Sequence, residues 1–279
     1  MSLRVYISVD IEGMEGVVSF NETLRGKGDY ELSRRRLTKD VNAAIAAAKA
    51  EGATEILVCE GHADMENLLF DELDPAADLI SGAMRSSLQM QEIEAGFDAM
   101  VLFGHAGGGQ TVGGVLDHTF NSKKIHGLRL NGLTMNTEAV FNAAVAGHYG
   151  VPMVAVIGDR AVVNEVHTFL PDCEGIVVKE GLSRFSARSI HPVRARERIE
   201  QGVRKALRER ERKQLLKLKE PLTMEIDYFY SAGADTASLV PGVKRISPRT
   251  VSFTGSAETV FRLHELLLFR TVDEYPFGF

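Results

Sequence analysis

The chain has 279 residues, 44% hydrophobic and 25% charged, with a formal charge of −6. That balance belongs to an ordinary globular protein with room for a large core; it argues against a generic nucleic-acid binder, and no apolar run approaches the ~20 residues that cross a bilayer. The two cysteines, Cys59 and Cys173, fall in no ligand-like spacing, which excludes a disulfide scaffold and fits a reducing compartment. The N-terminus shows no basic stretch followed by an apolar run, so no signal peptide is expected and the cytoplasm is the expected address.

Residues 4–9 form a short β-branched, aromatic and aliphatic run that reads as a buried strand. Asp10 and Glu12 follow it, just before Gly13. Residues two apart on a strand point the same way, so both carboxylates can face one site. Two like charges side by side repel, and a bound cation removes that problem. Residues 13–29 are irregular and long enough for an active-site loop. A helix is expected over 30–51, where Leu37, Val41, Ala44, Ile45 and Ala48 recur at helical spacing and Gly52 follows as a C-cap. Residues 55–59 give a second strand and hence a β-α-β unit, ending in Glu60-Gly61-His62.

A short strand over 78–81 and a helix over 86–96 are expected next, then a third apolar strand over 99–103 followed by Gly104 and His105. Three strands thus each deliver candidate ligands just past their last apolar residue: Asp10 and Glu12, His62, and His105. Ligands of doubly wound α/β proteins bind at that edge. A lone histidine after a strand is more often structural than a ligand, but three coincidences at one edge reverse the balance. The run 106–114 holds five glycines. It matches neither phosphate-loop order and reads as a close backbone approach to substrate or a lid. His118, after Asp117, offers an imidazole to the site.

Residues 125–133 read as strand, turn and strand around Asn131-Gly132, and a helix is expected from Thr134 or Asn136 to His148, with Asn136 or Thr137 as N-cap. Glu138 in its first turn either complements the helix dipole or projects into the site. Further strands are expected over 151–157 and 176–179, with Asp159 as a supporting residue or helix N-cap and the run 183–187 as a substrate or subunit contact. Residues 194–220 carry eleven Lys or Arg against five Glu and read as an amphipathic helix with a solvated basic face. Strands over 222–230 and 250–254 and a helix over 256–271 complete the chain. The expectation is an α/β fold, a mainly parallel sheet flanked by helices with a smaller α+β C-terminal part, divided into a catalytic domain over 1–190 and a second unit over 191–279.

Mixed His and Asp/Glu ligands without cysteine suit Zn²⁺, Mn²⁺ or Fe rather than Ca²⁺. Five ligands exceed what one catalytic zinc uses, so a bridging carboxylate holding two metals is the economical arrangement, and metal-assisted hydrolysis the reaction class. His118 would carry a proton or stabilise the tetrahedral intermediate. A metal hydrolase of another amide or a phosphoester, or a non-catalytic peptide-binding assembly protein, are the alternatives.

Taken in order, SVDIEG at the N-terminus, EGH around His62, GHA around His105, DH at His118 and NTEAVFNA around Glu138 resemble the zinc D-aminopeptidase (DppA) family. The resemblance implies a binuclear zinc aminopeptidase that removes N-terminal D-amino acids, typically D-alanine, from short peptides. It also implies the zinc ligands Asp10, Glu12, His62, His105 and Glu138, with Asp10 as the bridge and His118 as the catalytic histidine. One ion would take Glu12 and His105, the other His62 and Glu138. Family members form a homodecamer of two stacked pentamers with active sites facing an internal cavity. The segment between His105 and His118 departs from the family pattern in its glycine content.

Overall fold

The computed structural model describes residues 2–109 and 111–272, so position 110 of the glycine run and the last seven positions of the expected second unit lie outside the described residues. In chain order the elements are β1 (Leu3–Val9), α1 (Tyr30–Ala50), β2 (Ala53–Glu60), β3 (Ala77–Ile80), β4 (Ala99–His105), β5 (Ile125–Leu130), β6 (Leu133–Thr134), α2 (Glu138–His148) and β7 (Met153–Asp159). They continue with α3 (Arg160–Phe169), β8 (Glu174–Ser183), β9 (Ser186–Ser189), α4 (Pro192–Arg208), β10 (Leu222–Tyr228), α5 (Ser231–Ala237), β11 (Lys244–Arg245), β12 (Thr250–Gly255) and α6 (Ala257–Phe269). No helix among the described residues is long and apolar enough to cross a membrane.

Two sheets result. The larger has the order β3-β2-β1-β4-β7-β8-β9 and is parallel up to β8, with β9 antiparallel at one edge. Its central strands are apolar on both sides because both faces are covered. Val5, Ile7 and Val9 belong to a cluster with α1 and α4, whereas Tyr6, Met100 and Leu102 belong to one with α2, α3 and the second sheet. The smaller sheet, β11-β12-β10-β5-β6, is antiparallel.

The division expected at residue 190 does not follow the sheets. Strands β5 and β6, far upstream of it, pair into the second sheet. Helix α4, downstream of it, buries Ala195, Ile199, Val203 and Leu207 in the cluster beneath the large sheet. Its basic face is largely solvated, as expected, and within it Arg204 and Arg208 both pair with Glu51 at the end of α1. The helix stops at Arg208 rather than running to 220, and the following chain is drawn out so that Leu216 and Leu218 pack on the core. The expected helix over 86–96 is instead two isolated 3-10 turns, Leu88–Met90 and Ile93–Ala95. The Tyr6 hydroxyl bonds the Gln89 and Gln91 carbonyls, acceptors that a continuous helix would need for itself.

One buried pair ties the loop after β1 to the helical layer. Glu15 and Asp40 of α1 are both buried. Asp40 accepts from Arg196 of α4 at 3.1 Å, while both Glu15 oxygens and the other Asp40 oxygen lack a hydrogen-bond partner among the described residues. Burial, then the Asp40 charge, pushes the Glu15 carboxyl up to about 8, and burial pushes Asp40 up to about 6. Both folded values exceed the unfolded ones, so the stability they contribute is fully present below about pH 4 and is lost as pH rises towards 8. Glu15→Gln should therefore flatten the fall of Tm between pH 6 and pH 9 in thermal unfolding; a variant curve parallel to the wild type would refute a proton held by this pair.

Candidate metal centre and its pocket

The strand order turns back at β1, whose neighbours are β2 on one side and β4 on the other. This is the topological switch point of an open α/β sheet, where a crevice opens beyond the strand ends. The ladders continue past the strands and carry the ligands with them. Asp10 N donates to Phe103 O at 2.8 Å, Gly13 N to Gly104 O at 2.6 Å, and Gly61 N to Val9 O at 2.7 Å. Gly104 has φ +76, and a Cβ there would stand 2.0 Å from the Asp10 carbonyl. Only glycine lets His105 come this close to Asp10. Glu138 arrives from the other direction as the first residue of α2, behind the N-cap Thr137, whose side chain accepts from Ala139 N.

All six expected side chains meet here. The five expected ligands fall into two triads, Asp10, Glu12 and His62, and Asp10, His105 and Glu138, each with its ligand atoms within 4.8 Å of one another. The shared residue is Asp10. His62 Nδ1 lies 3.2 Å from Asp10 Oδ1 and 2.9 Å from Glu12 Oε2, while His105 Nδ1 lies 3.3 Å from Asp10 Oδ2 and 3.8 Å from Glu138 Oε2. This grouping differs from the expected pairing of Glu12 with His105 and His62 with Glu138. The sheet explains it: β2 carries His62 to the side of β1 that Glu12 faces, and β4 carries His105 to the other.

The donor chemistry fits divalent cations. His62 Nε2 is 2.8 Å from the Thr23 carbonyl, which only accepts, so Nε2 holds the proton and Nδ1 presents a lone pair. That lone pair faces two carboxylate oxygens, and Glu12 Oε2 is buried without a hydrogen-bond donor among the described residues. Three lone pairs converging in a buried space call for a cation or a proton. Burial pushes Asp10 up, with the Glu12 charge adding to it. Burial alone would also raise Glu12, but His62 and His118 outweigh it and hold that carboxyl well below the usual range. Burial works against protonated His62, yet the Glu12 and Asp10 charges raise it well above an ordinary imidazole. A metal taking that place would displace the proton, which couples metal uptake to proton release.

His118 stands at the rim of the second triad, its Nε2 3.8 Å from Glu138 Oε1. Its Nδ1 meets the Leu116 carbonyl at 2.8 Å, which fixes the tautomer and leaves Nε2 for chemistry. Burial opposes a charge on this ring, but Glu12 and Glu138 raise its pKa. A pocket of about 580 Å³ opens over the ligands, walled on its apolar side by Phe20, Leu24, Met65 and Phe120.

Residues beyond the expected set support the site. Gln89 Nε2 donates to Glu138 Oε2 at 2.8 Å and Phe120 N to Oε1 at 2.7 Å, so Glu138 is aimed rather than merely placed near a helix dipole. Lys179, fully buried in β8, donates to the Glu12 and Val17 carbonyls, and burial brings it down to about 8 against the charges of Asp159 and Glu12. Neither residue carries a sequence signal: Gln89 sits in a segment read as helix, and Lys179 at the end of an ordinary apolar strand. Asp159 is the N-cap of α3, accepting from Val162 N and also from Gly107 N and Val115 N. The described part of the glycine run therefore packs away from the pocket. A Cβ on Gly108 would stand 1.9 Å from Asn136 backbone, so the close approach of this glycine is to the segment leading into α2.

A family model described as D-aminopeptidase (peptidase M55) matches residues 3–267. The D-aminopeptidase of Bacillus subtilis (strain 168) is 29% identical over 272 residues, 96% of this chain and 97% of that protein. The solved structure of the Zn-dependent D-aminopeptidase DppA from Bacillus subtilis, a self-compartmentalizing protease, superimposes with a TM-score of 0.93 at 27% identity, covering 99% of this chain and 100% of its own.

The triads separate the two candidate pairings by experiment. Glu12→Ala combined with His62→Ala should leave the Asp10–His105–Glu138 triad able to hold one metal ion, whereas Asp10→Ala alone should empty both. Metal per chain after dialysis, measured by plasma emission, decides; loss of all metal in the double variant would restore the crossed pairing.

Proposed function

The chain belongs to the D-aminopeptidase family, and on that premise we propose that it is a zinc aminopeptidase that removes N-terminal D-amino acids, D-alanine above all, from short peptides. The observation that carries this reading is the pair of triads sharing Asp10 on the floor of a pocket sized for a short peptide. Asp10, Glu12 and His62 would hold one zinc ion and Asp10, His105 and Glu138 the other. When bound, such a pair polarises a scissile carbonyl and brings the pKa of attacking water towards neutrality.

The remaining work falls to the chain's own groups. With Nδ1 tied to Leu116 O, His118 accepts a proton at Nε2 as water attacks and returns it to the departing amine. Gln89 and Phe120 N hold Glu138 against rotation, and the apolar wall takes substrate side chains and excludes bulk water. Assembly into a homo-oligomer, a decamer enclosing a cavity, belongs to the same reading and would confine substrates to short peptides; the self-compartmentalizing relative supports it.

The experiment is zinc content on freshly purified protein together with hydrolysis of D-Ala-D-Ala and L-Ala-L-Ala. Two zinc per chain and D-selective cleavage are expected, and a protein that cleaves a phosphodiester but neither dipeptide would be a different hydrolase. His118→Ala should keep its zinc and lose kcat by about 10²–10⁴-fold; an unchanged kcat would remove His118 from the proton path. Light scattering on the eluting protein should give the mass of ten chains, and a monomer would overturn the assembly.

A further inference from the structure

Besides the histidines, the pocket over the triads is lined by two cations, Arg184 and Lys123. Arg184 sits in the turn between β8 and β9 and reaches across to the loop that carries His118. Its Nη1 donates to Asp117 O at 2.8 Å and to Asp117 Oδ1 at 2.6 Å, and its own carbonyl accepts from Leu116 N at 2.8 Å. One arm of the guanidinium is therefore spent inward. The other arm is not: Nε and Nη2 make no hydrogen bond among the described residues, although the side chain is 40% exposed and its plane is steadied over the Phe185 ring at 5.6 Å. Lys123 is exposed, its backbone fixed by Asn121 Oδ1 at 3.1 Å, and its Nζ has no ion pair or hydrogen bond among the described residues.

A guanidinium with two donors left is shaped for a carboxylate, which it binds bidentately. Arg184 lines the same pocket as His118 and holds the residue next to it, Asp117, and in a dipeptide the C-terminal carboxylate lies one residue, at most ~3.6 Å, beyond the scissile bond. The Asp117 contacts use only one arm of the guanidinium and leave Nε and Nη2 for a ligand.

We propose that Arg184, with Lys123 from the lining of the same pocket, receives the free C-terminal carboxylate of the peptide, so that peptides with an unblocked C-terminus and only one or two residues past the scissile bond are the preferred substrates. This rests on the aminopeptidase reading above and narrows its substrate class. In wild type, D-Ala-D-Ala is favoured over its C-terminal amide, chiefly through KM.

The test compares kcat and KM for D-Ala-D-Ala and D-Ala-D-Ala amide on the zinc-loaded wild type, Arg184→Gln and Lys123→Gln. The expected result is a wild-type acid-to-amide ratio of kcat/KM of about 10–100, the scale of a charged hydrogen bond, falling towards one in both variants with the loss in KM. A wild-type ratio near one would overturn the proposal while leaving the aminopeptidase intact. Equal losses on both peptides in Arg184→Gln, with Lys123→Gln unaffected, would reduce Arg184 to positioning His118 through Asp117 and also overturn it. Cleavage of neither peptide by wild type would overturn it together with the reading on which it rests.

Discussion

One carboxylate serving two ligand groups is the constraint around which this molecule is arranged. Asp10 is held at the end of the central strand, its N–H in the ladder to β4 and its Oδ1 accepting from Ile11 N. Every other ligand is delivered relative to it by an element that pairs with β1 or abuts its end. Three carboxyls and two imidazoles lie almost fully buried within this small volume, a concentration of titratable groups that is unfavourable on its own. A divalent cation turns that cost into affinity, because it binds the folded arrangement and has no comparable site in the unfolded chain.

The candidate ligands are legible in the sequence because their signal is local. A strand followed at once by Asp, Glu or His is visible in a few residues, and three such endings point at one edge of one sheet. The grouping of the ligands is not local. Whether His62 shares an ion with Glu12 or with Glu138 depends on β2 and β4 flanking β1 on opposite sides, and sheet order leaves no mark in the strands themselves. Glu138 shows the same limit: its place in a first helical turn is readable, but its direction is set by Gln89 and the Phe120 amide, which come from unrelated segments.

The departures in the fold have the same origin. Residues 86–96 carry helix-compatible composition, yet the Tyr6 hydroxyl takes carbonyls that a helix would require. The described part of the glycine run, expected as a close approach to substrate or a lid, is fastened by Asp159 at the end of β7 and Glu165 of α3, with Gly108 pressed against the backbone leading into α2. These are tertiary decisions, made by partners that the local pattern does not name.

The second sheet has a consequence for when the molecule becomes complete. Strand β5 finds its partner β10 only after α2, β7, α3, β8, β9 and α4 have been made, a long loop to close and a late, slow pairing. Helix α6 comes later still, and it brings Phe269 to the pocket and a carbonyl to the Tyr228 hydroxyl. A chain emerging from the ribosome therefore carries all six candidate site side chains well before it has Phe269 and the rest of the pocket's far wall. Because α2, which carries Glu138, packs in one cluster with β10, β12 and α6, the last-made elements also complete the support of the first-made site.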